Sequence, residues 1–232
     1  LRVTPPHARR AVFVASHTEA DHMTPASFTD IGMALAWAGF DVDLIPHGQP
    51  VTPADLAGAD LVVALPVVDY PSPDGDPTMY DDAGWAPDEI DALEVYVTEG
   101  GFLIVTNSAR RIKFALYDSN EDWEDMNALA ERFGVVYQDD VFNLTRARIN
   151  REHPLMYRLS TLFMTSHNGI PFTIVEGQEL ASTDEGIAAA LVEVGDAGGR
   201  VLALADVGSI GSSGSLDNLV FWQNVIEYVT SP

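Results

Sequence analysis

Residues 88–111 read DEIDALEVYVTEGGFLIVTNSARR, and this stretch decides the fold. Ile90, Leu93, Tyr96 and Val97 recur at helical spacing behind Pro87. Proline suits a first helical turn, where its missing N–H has no intrahelical partner to lose. Gly100-Gly101 stops the helix, and Phe102–Val105 is then a continuous apolar run of strand length, as expected of a strand covered on both faces. Thr106-Asn107-Ser108 ends it abruptly. In an open α/β sheet such a polar stop falls at the carboxyl edge, where ligands are held, so Asn107 and Ser108 are candidate ligand-binding residues.

Working outward, RAVFVAS (10–16), FDVDLI (40–45) and DLVVAL (60–65) read as strands. Helices are expected between them: one from Thr24-Pro25 through Phe28, Ile31 and Leu35 to a stop at Gly39, and a short one at Thr52-Pro53. Downstream, a helix over Trp123–Phe133 should stop at Gly134, with a strand at Val135–Tyr137. Residues 143–177 give no assignable pattern. Ile187–Val194 and Arg200–Ala205 flank the turn sequence GDAGG and predict a hairpin, and Asp217 or Asn218 should cap a last helix. With no internal repeat and no linker, one α/β domain over residues 1–232 is expected, with a mainly parallel central sheet and a C-terminal antiparallel hairpin.

A chain of 232 residues with 47% hydrophobic residues can bury a full core. Its longest apolar runs are strand-sized, so no membrane insertion is expected. Acidic residues number 35 against 12 basic ones, for a formal net charge of −23. A nucleic-acid partner is disfavoured, because no basic stripe can neutralise phosphates. Lys113 is the only lysine, and the pattern suits a salt-adapted surface of hydrated carboxylates. There is no cysteine, hence no disulfide. The sequence opens at Leu1 without a leader, so any export signal or neighbouring domain is expected to have been removed. Cytoplasmic and extracytoplasmic locations both stay open.

The succession ALAWAGFDVDLI, LAGADLVVAL, EIDALEVYVTEGGFLIVTNSA, NALAERFGV, GGRVLALADVGSI and DNLVFWQNVIEYV resembles the class I glutamine amidotransferase-like superfamily. Within it the likeness is to the non-amidotransferase branch of gliding-motility and intraflagellar-transport accessory domains and uncharacterised transporter-associated domains. The resemblance spans nearly the whole chain and implies a flavodoxin-like three-layer sandwich. True amidotransferases carry cysteine at a sharp elbow after this strand; here Ser108 falls near that place, between Asn107 and Ala109-Arg110, without the small residues an elbow needs. The family's late histidine–glutamate pair has no match near Ala205-Asp206-Val207. Both departures count against hydrolysis.

Several constellations remain open. Ser108 with His17 and Asp206 would make a nucleophile, base and orienting acid if the three converged; a polar strand end is the plainer reading. His17, Asp21 and His22, with Glu19, offer ligands to a divalent metal, against a solvated acidic loop. Asp69, Asp74, Asp76, Asp81 and Asp82 sit in a proline- and glycine-rich stretch at 66–86 that would suit calcium or be plain acidic surface. The run Asp118–Asp122 opens like a calcium loop but has Trp123 where glycine is needed. Tyr70, Tyr80, Trp85 and Tyr117 offer aromatic faces to a glycan or protein, or pack the loops down. Gly208–Gly214 lacks the lysine of a phosphate loop, and Asn143-Leu144-Thr145 is a glycosylation pattern relevant only to an exported protein.

The expected function is a non-catalytic binding or assembly domain, part of a larger surface or transport-associated protein, with a protein, small-molecule or glycan ligand, no required cofactor, and a homo-oligomer compatible with the pattern. The alternative is a hydrolase or metal-dependent enzyme at the carboxyl edge, with His17, Ser108 and Asp206.

Overall fold

The computed structural model describes residues 9–18, 29–67, 84–108, 122–164, 169–209 and 216–231. The four strands expected in the first half are present as β1 (Arg9–Val14), β2 (Phe40–Ile45), β3 (Leu61–Ala64) and β4 (Phe102–Thr106). Helices α1 (Thr29–Trp37), α2 (Pro53–Leu56) and α3 (Pro87–Thr98) connect them. α2 opens as expected at Thr52, whose N–H and hydroxyl both donate to the Asp55 carboxylate, at 2.9 and 2.6 Å. Gly39 and Gly134 stop their helices with φ of 87° and 71°.

After α4 (Asp122–Ala130) and a 3-10 turn at Glu131–Phe133 come β5 (Val135–Tyr137), β6 (Arg146–Ile149), β7 (Leu162–Phe163), β8 (Phe172–Ile174), β9 (Gln178–Thr183), β10 (Gly186–Val194) and β11 (Gly199–Leu204), then helix α5 (Leu216–Thr230). The main sheet runs β2-β1-β3-β4-β11-β10-β9-β6-β7, with β8 on β10 and β5 on β8. Pairs from β2 to β11 are parallel; β10–β11 and every pair beyond it are antiparallel. The expectation of a mainly parallel sheet is thereby corrected to a mixed one. Turns of two residues join β9 to β10 and of four join β10 to β11, too short for the crossover that parallel neighbours need. The predicted hairpin is present as β10–β11, and its second strand also completes the parallel half against β4.

Right-handed crossovers explain how the parallel half is covered. The step from β1 outward to β2 puts α1 on one face, while the steps from β2 back to β3 and on to β4 put α2 and α3 on the other. In agreement, α2 packs on α3 and α1 packs on α5. Strands β3 and β4 are buried along their whole length, as strands covered on both faces must be. One expectation changes at the last helix. It begins at Leu216, so Asp217 and Asn218 lie in its first turn and hold a neighbouring loop instead. The Asp217 carboxylate accepts from the N–H groups of Ser160 and Thr161, and Asn218 exchanges hydrogen bonds with the Phe163 backbone at 3.2 Å.

Candidate functional site

The carboxyl ends of the parallel strands present two groups of polar residues. The first is built on the turn after β1. Thr18 donates its hydroxyl to the Pro66 carbonyl at 2.6 Å, and Gly48 donates its N–H to the Ser16 carbonyl at 2.9 Å, so this turn is fastened to the ends of both neighbouring strands. From it His17 reaches Glu89 in the first turn of α3, Nε2 to Oε2, at 2.9 Å. Glu89 is 3% exposed and also accepts from the N–H groups of Val51 (2.8 Å) and Ala86 (3.0 Å). The Trp85 ring tilts against the imidazole, with centroids 4.9 Å apart. Three donors and the amino end of a helix thus surround one carboxylate, which is how a buried acid is kept satisfied.

The second group closes β4 and β11. Asn107 is fully buried; its side-chain oxygen accepts from the Ser108 N–H at 2.8 Å, and its carbonyl accepts from the Val207 N–H at 2.8 Å. Asp206 is also fully buried, and its carboxylate accepts from the Gly208 N–H at 2.8 Å, capping the 3-10 turn Val207–Ser209. Beneath them the Tyr137 hydroxyl donates to the Leu204 carbonyl at 3.0 Å, and burial pushes its phenol far above the ordinary tyrosine range. It is a neutral donor holding the two strand ends in place. The Ser16 hydroxyl, the Trp85 indole N–H and the Asn107 side-chain amide nitrogen are buried with no hydrogen-bond partner among the described residues.

The structure therefore brings His17 beside Trp85, and Asn107 and Ser108 beside Asp206. Two strands, β3 and β4, separate the end of β1 from that of β11, which at the usual spacing is about 14 Å. No hydrogen bond links His17, Ser108 and Asp206 among the described residues, and Ser108 is 5% exposed. Asp21, His22, Tyr70, Asp74 and Asp76 lie outside the described residues, as do Thr24-Pro25, Phe28, Asp69, Tyr80–Asp82, Tyr117 and 118–121. Among the described residues no three metal-binding side chains gather into a set that could hold an ion. The Asn143 amide is bonded to Glu185 at 3.1 Å.

Glu89 was not singled out by sequence reasoning. Its only sequence signal is an acid at the third helical position, able to reach back to the N–H before the helix; its histidine partner comes from a distant strand end.

No family model and no curated protein matches the sequence. Solved structures do match, in 82 chains, so the fold is common and by itself decides no activity. The chain is similar to the N-terminal domain of mmIFT52, with 16% identity and a TM-score of 0.66, over 96% of this chain and 98% of that one. It is similar to the cytoplasmic protein STM1381 of Salmonella typhimurium LT2, with 18% identity and a TM-score of 0.62, over 96% of this chain and all (100%) of that one. It is also similar to a protein from Thermoplasma acidophilum described as part of a GMP synthase, with 13% identity and a TM-score of 0.59, over 96% and 94%. These likenesses show a mixed α/β fold consistent with the glutamine amidotransferase-like one.

Proposed function

We propose that the chain is a non-catalytic assembly domain, a single domain over residues 1–232 within a larger surface or transport-associated protein, and that the edge of its sheet at β2, which has no outer strand partner among the described residues, is the contact surface. The exposed apolar character of that edge carries the reading. Trp37 is 86% exposed, with Met33 one turn before it on α1, and Val42 and Leu44 on β2 are exposed as well. Asp43 bonds to Arg10, whose guanidinium also donates to the Ala57 carbonyl after α2, so Asp43 lies on the α2 face. Side chains alternate along a strand, which puts Val42 and Leu44 on the α1 face with Met33 and Trp37. Edge strands of this kind accept an added strand unless charge or cover prevents it.

The occupant is an extended segment of a partner polypeptide that alternates apolar and basic residues. Its apolar side meets Val42 and Leu44, and its basic side meets Asp41 and Asp43. A second copy of a chain with net charge −23 would bring like charge to the same edge. The likeness to the mmIFT52 domain supports an assembly role. So does the carboxyl edge, where Asn107 and Asp206 hold backbone groups of the next turn.

A second reading, a hydrolase or metal-dependent enzyme at the carboxyl edge, is favoured by one observation: His17 is oriented by a buried carboxylate, as a general base would be.

The test is fluorescence polarisation with a short peptide alternating valine and lysine, against a scrambled peptide of the same composition. Saturable binding of the first, weakened about tenfold by Leu44→Lys, is expected. Equal binding of both peptides, or self-association of the chain in sedimentation, would overturn the proposed occupant. Hydrolysis of an activated ester or of glutamine that is lost in Ser108→Ala would establish the enzyme reading instead.

A further inference from the structure

The amino edge of the sheet, opposite the polar strand stops, carries an open cleft of about 470 Å³. Asp60 immediately precedes β3, Gly101 immediately precedes β4 and Arg200 is the second residue of β11, so the beginnings of three neighbouring strands open onto one space. Leu56 at the end of α2 and Val95 on α3 form apolar wall on one side of the sheet, and Val229 near the end of α5 on the other. The volume lies within the range of small-molecule sites, and the lining is more polar than apolar, which suits a charged ligand better than an apolar one.

Arg200 is the unusual member. Its guanidinium carbon lies 4.9 Å from the centre of the Tyr228 ring and 5.8 Å from that of Phe102, so two aromatic faces hold it in place. Among the described residues its side chain makes neither a hydrogen bond nor an ion pair, whereas Arg10, the other half-buried arginine among them, meets the Asp43 carboxylate. In a chain with 35 acidic residues, a half-buried guanidinium without one is a preorganised fork for a carboxylate from outside. Asp60 and Glu99 line the same cleft without pairing with it. A simple anion would be repelled by them, and a simple cation by Arg200. A molecule carrying both charges satisfies the whole set.

We propose that this cleft binds a small zwitterion of amino-acid to dipeptide size, its carboxylate on Arg200, its ammonium toward Asp60 and Glu99, and an aliphatic side chain against Leu56 and Val95. The site is separate from the β2 edge, and the two inferences fail separately: Leu44→Lys leaves this cleft intact, and Arg200→Gln leaves the edge strand intact.

Isothermal titration calorimetry of the whole chain with leucine, the leucyl-leucine dipeptide, N-acetyl-leucine and leucine amide tests the proposal. Saturable binding of leucine or the dipeptide at one site is expected, and the tighter of the two identifies the source. Blocking either charge should weaken binding about tenfold, the effect of removing one charge-assisted contact. Arg200→Gln keeps the stem against the rings and should weaken binding by a similar factor. Glu99→Gln, at an exposed helix end that endangers no packing, should weaken binding of the ammonium-bearing ligands and leave N-acetyl-leucine unchanged. Absence of binding by both leucine and the dipeptide, equal binding of N-acetyl-leucine and leucine, or unchanged affinity in both variants would each overturn the proposal.

Discussion

His17 Nε2 lies 2.9 Å from Glu89 Oε2, joining the turn after β1 to the first turn of a helix 72 residues later. Because Glu89 also accepts two backbone N–H groups, it fixes how α3 enters the sheet layer. Glu89→Ala strands these donors in a buried place and is expected to cost about 2–4 kcal/mol. Glu89→Gln keeps one acceptor oxygen and should cost less. Urea unfolding of both variants checks the order; equal loss in the two would show that space filling, and not hydrogen bonding, is what the residue supplies.

Gly39 holds φ at 87° between α1 and β2, and a Cβ there would meet no atom within 4 Å. Any penalty on substitution is therefore conformational. Gly39→Val is expected to cost about 1–2 kcal/mol, and Gly39→Asn distinctly less, because asparagine tolerates the left-handed region. Denaturant melts in which valine and asparagine are equivalent would contradict this.

His153 is buried against Tyr228, ring centroids 5.6 Å apart, and its Nδ1 accepts from the Leu155 N–H at 3.2 Å. Desolvation lowers its pKa below the ordinary histidine value. The folded state then binds fewer protons than the unfolded one just below pH 6.5, so this residue's contribution is complete above that pH and is lost as pH falls through the lowered folded value. Stability measured from pH 7 downward should fall more steeply in the parent than in His153→Asn, which can still cap the turn. Parallel slopes would remove the assignment.

With a net charge of −23, many surface carboxylates lie within about 10 Å of another, the screening length near 0.1 M salt. At about 1 M that length falls to roughly 3 Å and most of the mutual repulsion is lost. The melting temperature is therefore expected to rise by several degrees between low and molar sodium chloride, since about 1–2 kcal/mol shifts a domain of this size by that much. A melting temperature flat across the range would mark the acidic excess as ordinary solvated surface.

The parallel half was legible in the sequence because each of its strands is a short apolar run or, at β2, an alternating one, closed by a proline or a polar stop. Leu61–Ala64 and Phe102–Val105 are apolar throughout and buried along their whole length. Beyond Tyr137 the signal weakens for a physical reason. Strands such as Leu162–Phe163 and Phe172–Ile174 are two and three residues long, too short for alternation to register. At the site, polar strand ends pointed to His17, Asn107, Ser108 and Asp206. Their partners did not show, because Glu89 reads as an ordinary acid in a first helical turn and the Asp206 cap depends on how the chain turns after β11.

Strand β11 is parallel to β4 on one side and antiparallel to β10 on the other, and it follows every other strand of the sheet in the chain. During synthesis, then, the outer border of β4 waits with open backbone groups until residue 204 has left the ribosome. Contacts so distant in sequence form slowly, and an open strand border invites pairing with other chains meanwhile. A nascent chain stopped before Gly199 thus has most of a fold but two unsealed borders, one on β4 and one on β10, and the segment from Gly199 onward acts as the stopper that seals both.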